Sequence, residues 1–218
     1  MGRFMILTKN HGKNNKGGKM NRYLSILFAG ILMIPVTSIA DDHKSYVEFS
    51  ILNSSWDSGI SNVSGATLDE DDSGFAITGG IPLSGSLDLE IGYADFGDAS
   101  LSGVSGNTFD YKGSSYVFTG TGAIILEGDS YFLGLKSKMP LTDSISAFGR
   151  VGFNSWDSTL SVASATASAS VSDDGTDLYY GFGVSANMGN LNISLSHSYY
   201  EFGSDDVDST ALSMSIEF

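Results

Sequence analysis

Beyond residue 40, the ionisable side chains able to meet one another share a common alternation with apolar neighbours. Only five basic residues lie there, and three of them, Lys136, Lys138 and Arg150, sit at every second position of apolar segments, while the other two are Lys44 and Lys112. Glu48, Asp88, Glu90 and Glu217 alternate in the same way. Period-two spacing puts such residues on one face of a strand and the apolar set on the other. If that polar face is enclosed, the bases and acids must pair, because a buried charge is tolerated only when it is paired or wetted. Other chemistry finds little material. Cysteine is absent, which removes thiolate nucleophiles, disulfides and sulfur-ligated metals. Past residue 40 the histidines are His43 and His197. His197 shares its face with Leu195, Tyr199 and Glu201, whereas Ser198 falls on the opposite face, so a triad lacks a nucleophile from its own strand. No phosphate-cradling glycine loop and no EF-hand spacing occur, and neither a cofactor nor a resident metal is expected.

Strands must position these residues, and eight segments carry the pattern: 46–56, 75–83, 87–97, 130–139, a fifth from 145, then 178–188, 191–202 and 209–218. In the third, Leu87, Leu89, Ile91 and Tyr93 oppose Asp88, Glu90 and Gly92. Short turns at 84–86, 140–143 and 189–190 alternate with long connections at 57–73, 98–129, 157–177 and 203–208. That rhythm predicts an all-β fold, a transmembrane antiparallel up-and-down β-barrel of about eight strands, with short turns at one end and long loops at the other. A soluble sandwich would also alternate, but would not call for aromatics near strand ends. Tyr46, Trp56, Tyr93, Phe96, Tyr131, Trp156, Tyr180 and Tyr199 read as membrane-interface girdles. Mean hydropathy is only +0.04, and no apolar run of about 20 residues follows residue 40, so helices do not span a membrane here. A short internal repeat pairs NSSWDSG (53–59) with NSWDSTL (154–160), and GYADFGD (92–98) with SYYEFGS (198–204).

Residues 1–40 differ from the rest: they hold Arg3, Lys9, Lys13, Lys16, Lys19 and Arg22 and no acid, followed by an apolar block over 24–34 and the small-residue stretch ending at Ala40. This is the pattern of a signal peptide cleaved between Ala40 and Asp41, with Met20 an alternative start, leaving 41–218 as the barrel domain. The remaining 5 bases and 25 acids give a formal net charge of −20, which excludes nucleic-acid binding through phosphates. Most acids cluster in the long connections, as in LDEDD at 68–72, where weak Ca²⁺ or Mg²⁺ bridging to lipopolysaccharide phosphates is expected. The stretch 161–172, SVASATASASVS, either extends its hairpin outward or stays loose.

LDLEIGYADFG at 87–97, the AFGRVGF strand at 147–153 and the terminal Phe218 resemble the OmpA-like outer-membrane β-barrel superfamily across the whole part after residue 40. The resemblance implies residence in the cell outer membrane of a Gram-negative envelope, in contact with its lipid and lipopolysaccharide. It implies that Glu90 pairs with Lys136 and Arg150 in the lumen, and the alternation itself adds Glu48, Asp88 and Lys138 to that inward ion network. It implies an assembly signal at Met214, Ile216 and Phe218, read by the barrel assembly machinery. The chain stops at Phe218, so the peptidoglycan-binding domain of full-length OmpA is not expected. The expected role is non-enzymatic: envelope integrity and surface interaction by a barrel plugged with ion pairs. A narrow pore or transporter for small solutes is the alternative, and a lipid A-modifying enzyme is a remote one.

Overall fold

The computed structural model describes residues 44–164 and 167–218; the expected leader and its Ala40–Asp41 junction lie outside the described residues. Twelve strands follow in order: β1 (Tyr46–Asp57), β2 (Ile60–Ser64), β3 (Thr67–Asp69), β4 (Asp71–Ser84), β5 (Leu87–Gly103), β6 (Thr108–Tyr111), β7 (Ser114–Val117), β8 (Gly122–Pro140), β9 (Ile145–Ser164), β10 (Ser168–Met188), β11 (Leu191–Phe202) and β12 (Asp205–Glu217). Eight of them, β1, β4, β5, β8, β9, β10, β11 and β12, pair in succession, and β1 returns to β12 from Tyr46↔Glu217 to Asp57↔Asp206. The sheet is therefore a closed antiparallel barrel. Closure gives each of the eight strands a hydrogen-bonded neighbour on both sides within the barrel, which is what permits strands to cross lipid.

The apolar face of each strand points outward. Phe49, Phe153, Phe182 and Leu212 are each about half or more exposed, while Glu48, Glu90, Asn154 and Ser213 on the alternate face are buried. This inversion of the soluble pattern identifies the outward band as the lipid-facing surface. The enclosed face is asymmetric in volume. Ser50, Ser54, Ser194, Ser196, Ser198, Ser209, Ser213 and Ser215 line the β1–β12–β11 wall, with Ser50 and Ser213 sharing a 2.8 Å hydrogen bond. Bulky side chains from elsewhere on the wall fill the space these serines leave, as an eight-stranded lumen requires. Two glycines make room for them: the Phe132 ring lies where a Cβ on Gly92 would stand, and the Tyr179 hydroxyl where one on Gly134 would stand.

The connections depart from the sequence expectation in two ways. The long ones are not plain loops: β5, β8, β9 and β10 run on beyond the barrel, and residues 161–164 and 168–172 extend the β9–β10 hairpin. The first two long connections also carry β3, which adds to β5, and a separate three-stranded sheet ordered β2-β6-β7. That sheet holds its own aromatic contact, Phe109 on Tyr116 at 5.4 Å. Conversely, the fourth is short. Asp205–Asp208 belong to β12, which leaves a turn at Gly203–Ser204, where Gly203 takes a positive φ of 67°.

Candidate functional site: a two-layered lumen

The half of the lumen nearer the short turns holds the charged residues that the alternation singled out. Arg150 Nη2 lies 3.4 Å from Glu48 Oε1, and Arg150 Nε lies 3.5 Å from Glu90 Oε2. Lys136 Nζ stands 3.7 Å from Glu48 Oε2 and 3.4 Å from Glu90 Oε1. Two acids and two bases thus alternate around one centre, contributed by four different strands, and their formal charges cancel. The Tyr46 hydroxyl donates to Glu90 Oε1 at 2.6 Å and receives the Lys136 ammonium at 3.4 Å. The Phe148 ring floors the group, 4.5 Å from Lys136 Nζ and 5.1 Å from the Arg150 guanidinium carbon. One step nearer the turns, Lys138 pairs with Asp88 at 2.9 Å. Glu217 lies beside them at the mouth, accepting from Asn192 at 3.3 Å. The polar void left here, lined by Tyr46, Glu48, Asp88 and Lys136 among others, measures about 20 Å³, space for a single water.

Above the ions, toward the long connections, aromatic rings fill the barrel. Tyr179 and Tyr200 stack at 5.3 Å with planes 9° apart, and Phe132 packs on Tyr179 at 5.3 Å. Phe96 meets Tyr200 at 4.7 Å and Phe202 at 5.5 Å. Phe202 lies between two tryptophans, 5.4 Å from Trp56 and 5.4 Å from Trp156. Trp156 Nε1 donates to Asp177 Oδ2 at 2.7 Å, which closes the top of the layer.

This layer corrects the sequence reading of the aromatics. Tyr46, Trp56, Phe96 and Trp156 are buried in the lumen rather than set in a girdle. The physical reason is parity: each occupies the same alternate face as the lumen ions of its own strand. The outward girdle consists instead of Tyr93 against Tyr131 at 5.0 Å, Phe75 against Tyr93 at 6.0 Å and Tyr180 against Tyr199 at 5.2 Å. The internal repeat was the signal that could have found the layer, because its equivalent positions are Trp56 with Trp156 and Phe96 with Phe202, four rings that meet in one cluster.

On the outer surface His197 has more company than its own strand supplied. Its Nε2 lies 3.2 Å from Asp208 Oδ1, and its Nδ1 lies 3.2 Å from Thr210 Oγ1 on neighbouring β12. A hydroxyl does therefore share its face. Acyl transfer would also need donors aimed at an oxyanion, and the flanking backbone of β11 and β12 is taken up by the ladder from Leu191↔Ile216 to Phe202↔Asp205. Just outward of the girdle tyrosines, and outside the membrane-spanning segments, Asp95, Asp129, Asp157 and Asp174 stand directly opposite one another across β5, β8, β9 and β10. Partial burial, then the charges of Asp157 and Asp95, push the Asp129 carboxyl up to about 6. Among the described residues, no three His, Asp or Glu side chains converge to hold a cation. Met214 and Ile216 face lipid on β12, and the Phe218 amide donates to the Ser45 carbonyl at 2.9 Å, fastening the chain end to the start of β1.

A closed eight-stranded barrel with an apolar exterior and an ion-paired, aromatic-filled interior defines an integral protein of the cell outer membrane. The family model described as the outer membrane protein beta-barrel domain matches residues 24–218, and the chain belongs to that family. Among solved structures it is similar to Ail, the attachment invasion locus protein of Yersinia pestis, in complex with the heparin analogue sucrose octasulfate. Identity there is 16%, coverage is 82% of this chain and 100% of that one, and the TM-score is 0.52. The same protein without that ligand gives 17%, 82%, 100% and 0.51, and the N-terminal barrel of Pseudomonas aeruginosa OprF gives 10%, 79%, 97% and 0.47. No curated protein matches the chain.

Proposed function

We propose that this barrel is a non-conducting structural element of the outer membrane, with a surface-interaction role carried by its outward strands. The observation that supports it is the double filling of the lumen. An electroneutral quartet of Glu48, Glu90, Lys136 and Arg150 lies under a packed layer that includes Phe132, Tyr179, Tyr200 and Phe202. A hydrated ion would have to displace both layers, which sets this reading above the narrow pore or solute transporter. A non-enzymatic role accords with the ladder-bound backbone around His197.

The charge balance also bears on the ligand class. Ail was solved with a polysulfated heparin analogue, whereas this chain carries 25 acids and, in its outer connections, Lys112 as the base. Lys112 is already engaged with Asp205 at 3.1 Å. Sulfated polysaccharides would be repelled, so the surface role is directed at cationic or neutral partners. Single-channel recording in planar bilayers tests the plug. The expected trace is silent, and steady conductance steps from the unmodified protein would overturn the structural reading in favour of a pore.

A further inference from the structure

β10 is longer than the barrel needs. It pairs with β9 without a bulge from Ser168↔Ala163 to Ala186↔Ile145, but its pairing with β11 begins only at Tyr179↔Tyr200. Over residues 168–178 the strand has one neighbour. Among the described residues, no backbone bond from another element reaches its free side, and the contact there is the Asp177 carboxylate accepting from the Gly203 amide at 2.9 Å. At about 3.3 Å per residue the open edge beyond that contact, residues 168–176, is roughly 30 Å long, well beyond an average strand.

Such edges are ordinarily blunted by charged side chains, lysine above all, by proline or by a bulge. This one, SASVSDDGTDL, has no lysine, proline or bulge; its charges are the acids Asp173, Asp174 and Asp177, which repel a like-charged strand and leave the edge open to a cationic one. Its side chains divide cleanly. Val171 continues a cross-strand row with Leu160 and Leu126, and Ala169 a row with Val162 and Ile124, so the face on the lumen side of the wall presents an aliphatic patch. Val171 is 65% exposed, Leu160 38% and Val162 37%. The outer face is Ser168, Ser170, Ser172 and Asp174. Asp173 and Asp174 flank the patch on the two faces, and Asp174 also joins the Asp129–Asp157 carboxylate row.

We propose that the free edge of β10 is a docking site for an extended cationic polypeptide segment, which adds to the sheet as a further strand. The backbone supplies the affinity by ladder bonds, the aliphatic patch takes apolar side chains at alternate positions, and Asp173 and Asp174 select lysine or arginine beside them. A second copy of the chain is a poor occupant, since it would bring the same carboxylates to the same edge. The inference rests on the surface-interaction part of the proposed function and assigns it a site and a partner chemistry.

The test uses the mature barrel in a non-ionic detergent and a fluorescein-labelled decapeptide of alternating lysine and valine, followed by anisotropy and by amide exchange over 168–178. The expected results are saturable binding with protection of those amides, and at least tenfold weaker binding for Val171→Lys, on the face that takes the valines, and for Asp174→Lys, on the face that takes the lysines. The same peptide N-methylated at every second residue keeps its charge but cannot extend a ladder, and it too should bind at least tenfold more weakly. Heat-modifiable gel migration confirms that both variants fold, because both positions are on the exposed extension. Equal binding of the N-methylated peptide, or indifference to both substitutions, or no saturable binding, overturns the proposal. None of these outcomes touches the silent-lumen reading, which conductance alone decides.

Discussion

Replacing Arg150 by alanine removes one base from a neutral set of four and leaves Glu48 and Glu90, both buried, to share Lys136. Breaking a buried pair in this way typically costs about 3–5 kcal/mol, because the unpaired charge remains in a confined space. The geometry argues for the lower end. The Arg150 contacts of 3.4 and 3.5 Å are longer than charge-assisted hydrogen bonds of roughly 2.8 Å, and Arg150 Nε and Glu90 Oε2 lack a well-directed partner, so part of the attraction is already unrealised. The expected loss is therefore about 3 kcal/mol, near a hundredfold in the unfolding constant. Urea unfolding from lipid vesicles, followed by tryptophan fluorescence, measures it directly, since Trp56 and Trp156 both lie in the aromatic layer and sense the whole barrel. Arg150→Ala combined with Glu90→Gln should recover part of the loss by restoring neutrality. A single variant that unfolds at the parent's urea midpoint would refute the reasoning, because it would mean that water already screens the quartet.

Three further outcomes are expected. The Asp129 carboxyl is held at about 6, above its ordinary value near 3.9, so the native state favours its protonated form. Stability is then fullest below about pH 4 and is lost as pH rises through 6; Asp129→Asn should gain about 1 kcal/mol at pH 8, allowing for solvent screening, and nothing at pH 4 in paired urea titrations. Gly134→Ala would drive a methyl group into the Tyr179 hydroxyl and the Val151 carbonyl, so a loss of about 1–3 kcal/mol is expected in the same unfolding assay. Deleting Phe218 removes the amide bonded to Ser45 and the last lipid-facing aromatic, and should lower the fraction of heat-modifiable barrel recovered from membranes, read by densitometry against the full chain.

Much of the site was legible because alternation is a strict rule in a barrel wall. Once Leu87, Leu89 and Ile91 are assigned to lipid, Asp88 and Glu90 have nowhere to go but inward, and the same parity carries Lys136 and Arg150. Applied with equal rigour, it also places Trp56, Phe96 and Trp156 inside, but position near a strand end outweighed parity in the reading of aromatics as girdles. His197 shows a different limit. Its partners Asp208 and Thr210 belong to β12, and the cross-strand register that brings them together is invisible along either strand alone.

From its sequence alone, this protein is determined to be a barrel, with its lipid face, its acidic exterior and the charged composition of its lumen, since these follow from local periodicity and residue type. Tertiary structure alone decided which bases meet which acids, that four repeated rings converge on one layer, and that β10 outruns β11 to leave an open edge. Those features depend on register and on the differing heights of neighbouring strands, which are set by packing around the closed wall and not by any one segment's pattern.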